Sequence, residues 1–283
     1  MAPVPEAEVL CRVCGRKARS LWDGRLMDLT VKYFECDSCG YVQTEYPFWL
    51  ERSYSEPMNR SDTGILVRSD LNTRVVLMVL KALGISGGTV VDCAGGYGIL
   101  VRMLRDIGVE ALWSDKYCDN LLARGFEYQG GGAVLVTSFE AFEHFVDPVA
   151  ELKDQLSISP NLLLSTEIIP DPTPRQHEWW YYGSDHGQHI GFFRNRTLKY
   201  LAEKFRKRLV SDGRSYHLFS DHEYSSMFWG ARIFLLRAVS KALRIVSARS
   251  LKSKTWEDNR QLIKCMDTSE SRTEAPKSLD RLK

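Results

Sequence analysis

Thr89-Val90-Val91-Asp92-Cys93-Ala94-Gly95-Gly96-Tyr97-Gly98 is the stretch that decides the fold. Its β-branched start predicts a short buried strand, and the small residues after it predict a turn whose backbone a ligand can approach closely. Ile99 to Ile107 then reads as a helix closed by Gly108. The free N–H groups at such a helix start favour a polar or anionic group. The spacing is not the dinucleotide pattern GxGxxG; it is an acid, Asp92, followed by small residues at alternate positions, Ala94, Gly96 and Gly98. Taken alone, the loop equally serves a tight turn in another α/β protein that binds a nucleotide or nothing.

Working outward, Val75, Val76, Val79, Leu80 and Leu83 recur at helical spacing and predict a helix over Leu71 to Leu83. A second strand, Glu110 to Ser114, ends in Asp115 with Lys116 beside it. Further strands are expected at Ala133 to Thr137 and Asn161 to Thr166, and a helix at Thr197 to Phe205. Strands alternating with helices place the chain in the α/β class, doubly wound, with a mostly parallel sheet. Leu209 to Phe219 and Met227 to Leu236 are read as antiparallel strands finishing that sheet, although the second equally begins a long helix. From residue 250 the composition turns polar, so residues 250–283 are expected to form a poorly ordered tail.

The first 53 residues are of another kind. Cys11-x-x-Cys14 and Cys36-x-x-Cys39, separated by 21 residues, match a four-thiolate zinc pattern with a slightly long loop. Gly15 and Gly40 follow the two pairs and relieve the turns. Four thiolates leave no position for water, so the expected zinc is structural. Redox chemistry is the rival, but it usually needs one exposed pair. The expected organisation is a zinc module over 1–53, a larger domain over 54–249 and the tail.

Lys and Arg number 38 against 36 Asp and Glu, so a net charge of +2 creates no field that would draw in a polyanion. No window approaches the ~18 apolar residues of a membrane span. Seven cysteines, four of them in paired motifs, fit a reducing compartment, and the chain is read as cytoplasmic.

Asp92 to Gly98 resembles the first motif of class I methyltransferases, in which an acid heads a D/E-x-G-x-G-x-G loop around the amino-acid end of S-adenosylmethionine. Ala94 stands where that family has its first glycine. The resemblance implies a Rossmann-like sheet and a cofactor cradle made by Asp92, Ala94, Gly95, Gly96, Tyr97 and Gly98. It also implies that Asp115, 23 residues after Asp92, accepts hydrogen bonds from the ribose hydroxyls, with Lys116 next to it. Tyr54, Thr63 and Arg68 fall where the family closes over the cofactor. Phe139 to Pro148 resembles the E-H-x-x-D-P stretch after the family's fourth strand, and the likeness covers about residues 54 to 230. The cysteine pairs look like the zinc module of sugar C-methyltransferases, although the LG-x-x-P-like stretch of that family is absent between them. The resemblance implies a small-molecule acceptor: a sugar, sugar nucleotide, polysaccharide precursor or natural product.

A methyl sulfonium is already activated, so the protein must chiefly align acceptor and donor and, where required, remove a proton. The bases available lie in Trp179 to His189. His189 is the first choice, because His189-Ile190-Gly191-Phe192-Phe193 looks like the His-led run of the sugar C-methyltransferases, with Gln188 replacing their acid. His186 is second, and Glu143 and His144 are further candidates. Each of these could instead tie a loop together or cap a helix. Trp179 to Tyr182 reads as a stacking surface, a core or a lid. Two other functions compete: an RNA base methyltransferase, against which the near-neutral charge speaks, and a zinc-ribbon interaction protein whose second domain has lost activity. Arg232, Arg237, Lys241, Arg244 and Arg249 lie among apolar residues and outline either a membrane-surface helix or, as expected here, a solvated terminal one.

Overall fold

The computed structural model describes residues 8–54 and 62–248 together with Arg260 and Lys264. The expected polar tail otherwise lies outside the described residues, as does Arg249. Near the N-terminus, β1 (Arg19–Leu26), β2 (Leu29–Glu35) and β3 (Val42–Thr44) form an antiparallel meander, followed by the single turn α1 (Leu50–Ser53). The larger domain starts at α2 (Ile65–Ala82), six residues earlier than its apolar periodicity indicates. Then come β4 (Val90–Cys93), α3 (Ile99–Asp106), β5 (Ala111–Ser114), β6 (Leu135–Phe139), α4 (Pro148–Ile158), β7 (Leu162–Ser165), β8 (Gly191–Phe192) and α5 (Asn195–Lys204). The described chain closes with β9 (Arg208–Ser211), β10 (Tyr216–Ser220) and α6 (Ser226–Ala248).

The central sheet has the order β5-β4-β6-β7-β10-β9. β5, β4, β6 and β7 are parallel, and β10 runs antiparallel to both of its neighbours. β4 and β7 are buried along their whole length, as the middle of a sheet covered on both faces requires. One face packs on α2, α3 and α6 through Val75, Val79, Leu104, Leu163, Trp229 and Ile233. The other packs on α4 and α5 through Val91, Val136, Leu152, Leu162 and Leu198.

One expectation is corrected and one open choice is decided by the C-terminal part of the fold. Leu209 to Phe219 is a hairpin, β9 and β10, because Gly213 turns the chain at φ 74°. Met227 to Leu236 belongs to a helix: Trp229 and Ile233, four residues apart, are buried while Phe228 and Phe234 beside them are exposed, a helical period.

The zinc-pattern region is not a separate bead. β8, drawn from the far side of the sequence, adds antiparallel to β3, pairing Val42 with Phe192 and Gln43 with Gly191. Cys11, Cys36, Cys39 and Tyr41 share one apolar cluster with Phe193 and Leu198. A Cβ at Gly191 would lie 1.8 Å from Tyr41 Oη. Gly191→Ala is therefore expected to destabilise the chain by about 1–3 kcal/mol, the usual cost of overpacking; an unchanged denaturation midpoint would show that the junction yields.

Candidate functional site

The loop after β4 bends by placing three residues in the left-handed region: Ala94 at φ 67°, Gly96 at 54° and Gly98 at 85°. Glycine does this freely and alanine at a cost of about 1–2 kcal/mol, so Ala94 is a strained stand-in for the expected glycine. Ala94→Gly should raise stability by up to about 1 kcal/mol, relief of strain less the added backbone entropy, measurable as a higher denaturation midpoint. Beneath the loop, Asp92 is buried and accepts from Thr137 Oγ1 at 2.6 Å, tying β4 to β6. Burial pushes its carboxyl up to about 7. Asp115 reaches back from the end of β5: Oδ2 accepts from Gly96 N at 2.9 Å, and Oδ1 from Tyr117 N and Cys118 N at 2.7 and 2.8 Å. A carboxylate offers about four acceptor sites, so one remains on Oδ2 beside the loop. Trp113 straps the loop from the other side through Nε1 to Gly96 O, 2.8 Å.

A second constellation lies where β6, β8 and the aromatic segment meet. The rings of His144 and His189 are 4.9 Å apart and those of His186 and His189 4.8 Å apart. His189 Nδ1 lies 2.6 Å from the carbonyl oxygen of Tyr181. An acceptor there requires Nδ1 to carry the proton, which leaves the Nε2 lone pair free. Glu143 is fully buried, takes a hydrogen bond from Tyr181 Oη at 2.6 Å on Oε1, and has no partner on Oε2. Burial, then the charge of Glu140, raises its carboxyl to about 8. Burial lowers His144 to about 3 and pulls down His186 and, further, His189. At neutral pH the cluster thus holds a protonated carboxyl beside unprotonated imidazoles. Glu143, His144 and His189 present ligand-type atoms within 4.8 Å of one another, a spacing open to a cation.

Tyr54 joins the two constellations. Its ring stacks on Tyr117 at 4.7 Å, and its hydroxyl lies 2.9 Å from His144 Nδ1. The strands beneath hold the histidine loop firmly. Thr44 N donates to Ile190 O at 3.0 Å, and so does Arg12 Nη2; Trp49 Nε1 donates to Gly187 O at 2.8 Å, and Ile190 N to Glu143 O at 2.8 Å.

The cysteine pairs adopt the same hydrogen-bond pattern twice. Cys11 N donates to Arg16 O and Gly15 N to Cys11 O; Cys36 N donates to Tyr41 O and Gly40 N to Cys36 O. Sγ–Sγ separations are 3.5 Å for Cys11–Cys39 and 3.4 Å for Cys14–Cys36, with all four sulfurs within 4.8 Å. Zn–S bonds of about 2.3 Å at tetrahedral angles need sulfurs about 3.8 Å apart, so the thiols fit that ion with small adjustments.

The remaining expected residues are spread out. Lys116 pairs with Glu151 of α4. Arg68 pairs with Asp62 at 2.5 Å, and its positive charge further disfavours protonation of His189. Thr63 is half-buried in the turn that leads into α2. Asp147, rather than Glu143 or His144, caps α4, accepting from Val149 N and Ala150 N with Pro148 at the first helical position. Sequence reading missed Tyr181, which holds both Glu143 and His189, and Glu140, whose φ of 50° stores strain at the end of β6. An aromatic run gave no means of choosing Tyr181 from its neighbours.

These shifts set the pH dependence of stability. Below about pH 6.5 the unfolded chain binds protons on His144, His186, His189 and His217 that the folded chain refuses, so stability falls with acid. The folded chain keeps protons on Asp92 and Glu143 that the unfolded one releases, so this stability is lost as pH rises through about 7 and about 8. The melting temperature should peak near neutrality; a steady rise from pH 6 to 9 would contradict these assignments.

Residues 68–206 match a family described as a methyltransferase domain. No curated protein matches the chain. Among solved structures, CalO1, a methyltransferase in calicheamicin biosynthesis, in its SAH-bound form, is 14% identical with a TM-score of 0.37, and the match covers 48% of this chain and 49% of that one. The magnesium protoporphyrin IX methyltransferase (ChlM) of Synechocystis PCC 6803 with bound SAH is 18% identical with a TM-score of 0.41, covering 60% and 92%. An O-methyltransferase family protein from Burkholderia thailandensis is 13% identical with a TM-score of 0.38, covering 62% and 64%. The chain spans about half the length of the first of these.

Proposed function

We propose that the chain, whose residues 68–206 match a methyltransferase domain family, is a class I, S-adenosylmethionine-dependent enzyme that methylates a small molecule, a sugar, sugar nucleotide, polysaccharide precursor or natural product. The observation that carries the acceptor side is the free Nε2 of His189, held by Tyr181 O and kept unprotonated by burial. Bound S-adenosylmethionine supplies a methyl group already activated on a sulfonium.

The residues of the chain do the rest. The glycine loop presents its amides, and Asp115 offers its open Oδ2 site to a ribose hydroxyl. His189 Nε2 takes the acceptor's proton as its nucleophilic atom attacks, and Glu143, protonated on the unpartnered Oε2, donates to an acceptor oxygen. His144 and Tyr54 line the passage between the two. Asp115→Asn would turn an acceptor towards the Gly96 amide into a donor; cofactor affinity should fall about 30-fold, a charged hydrogen bond of about 2 kcal/mol, and calorimetry showing no change would remove Asp115 from the cofactor site.

The Cys11, Cys14, Cys36 and Cys39 set fits a structural zinc, which would hold the sheet that β8 completes. Elemental analysis of the full chain should find one zinc. A second equivalent lost on His189→Ala would mean that His189 binds a cation and not a proton.

The deciding assay measures S-adenosylhomocysteine release against nucleotide sugars, natural-product hydroxyl compounds and unmodified RNA. Turnover with a small acceptor is expected. Turnover with RNA alone, or failure to bind S-adenosylmethionine, would overturn the reading.

A further inference from the structure

Helix α6 is apolar on two opposite faces. Trp229 and Ile233 are buried against the domain. Met227, Phe228, Phe234, Leu235 and Val239 point away from it, with Met227 75% and Phe234 73% exposed, and the intervening Ala231, Ala238 and Ala242 are exposed too. At 3.6 residues per turn these residues make one outward stripe, bordered by Arg232 on one side and Lys241 on the other. The solvated polar face expected of this helix is not there. Scattered single exposed apolar residues are ordinary, whereas a contiguous stripe with aromatic members marks an interaction surface.

Charge identifies the partner. Between Ser226 and Ala248 stand Arg232, Arg237, Lys241 and Arg244, with no Asp or Glu. Arg237 is engaged by Asp212 and Ser215. Arg232, Lys241 and, on neighbouring α2, Lys81 have no carboxylate partner among the described residues. An open groove of about 870 Å³ between α2 and α6, lined by Leu77, Met78 and Tyr224 and rimmed by Lys81 and Arg232, adjoins the stripe. Apolar side chains flanked by free cations match the interface of an anionic bilayer, where the former enter the acyl boundary and the latter meet headgroup phosphates. A second copy fits less well: a two-fold contact through the stripe would crowd Arg232 and Lys241 of both copies with no helix carboxylate to pair them.

We infer that α6 docks the enzyme peripherally on an anionic membrane surface, lying in the plane of the interface. No described helix is long and apolar enough to cross a membrane, so the attachment is at the surface.

The test is flotation of the full chain with vesicles of phosphatidylcholine alone and of phosphatidylcholine mixed equally with phosphatidylglycerol. Binding to the mixed vesicles, weakened by salt, is expected. Arg232→Gln with Lys241→Gln should lower partitioning about 30-fold, and Phe234→Glu should reduce it at least as much, with cofactor binding and melting temperature unchanged in both. The inference is overturned by a full chain that floats on neither vesicle, by variants that float like the parent, or by a Phe234→Glu change that splits a dimer while vesicle binding persists.

Discussion

Stripping the cysteine site, by chelation or by Cys14→Ser, is expected to lower methyl transfer at least about 100-fold while cofactor affinity falls far less. The reason is mechanical. A four-cysteine zinc site contributes on the order of 10 kcal/mol to modules of this size, and here the cysteine module holds one side of the loop that carries His189. β3 pairs with β8, and Thr44 N and Arg12 both hold Ile190 O, one residue from His189. The glycine loop is instead held by Asp115 and Trp113, on the far edge of the other sheet. Loss of metal should therefore free His189 from its register before it disturbs the glycine loop, and a displacement of about 1 Å at a reacting group costs about 100-fold in rate. The melting temperature should fall as well. A metal-free protein with ordinary turnover would refute this coupling.

His189→Ala is expected to reduce kcat by about 10² to 10⁴, the span of a positioned general base, with the dissociation constant for S-adenosylmethionine unchanged. His186→Ala should cost much less, because His186 Nδ1 already accepts from Gln188 N at 3.1 Å. The pH profile supplies a readout that loop damage would not mimic. His189 stays unprotonated well below its ordinary range, so the acid limb of the wild-type profile should lie below pH 6.5, and the alkaline limb should follow Glu143 at about 8. A larger loss on His186→Ala than on His189→Ala would reassign the base.

The central sheet was legible because it is built of local signals. Val90 and Val91, the small residues after Asp92 and the spacing to Asp115 each bias only a few neighbouring residues, and all agree. Met227 to Leu236 was ambiguous because a chain apolar on two faces has no clean period, and a strand and a helix both accommodate it. The cysteine spacing was equally local. What could not be read was the meeting of distant segments. That β8 would pair with β3, distant in the sequence, depends on Gly191 admitting Tyr41, a fact of shape with no periodicity. Tyr181 and Glu140 stayed hidden for the same reason, since their roles arise only when the turn after β6 and the aromatic segment pack together.

The shared sheet also limits how this architecture can be recombined. A fragment beginning at residue 54 would leave the edge of β8 bare and Phe193 stripped of Tyr41, its ring neighbour at 4.9 Å, inviting strand pairing between molecules. The N-terminal module cannot be exchanged like a detachable tag; any chimera has to carry its own matching Gly191 stretch, so these two distant segments are obliged to change in step.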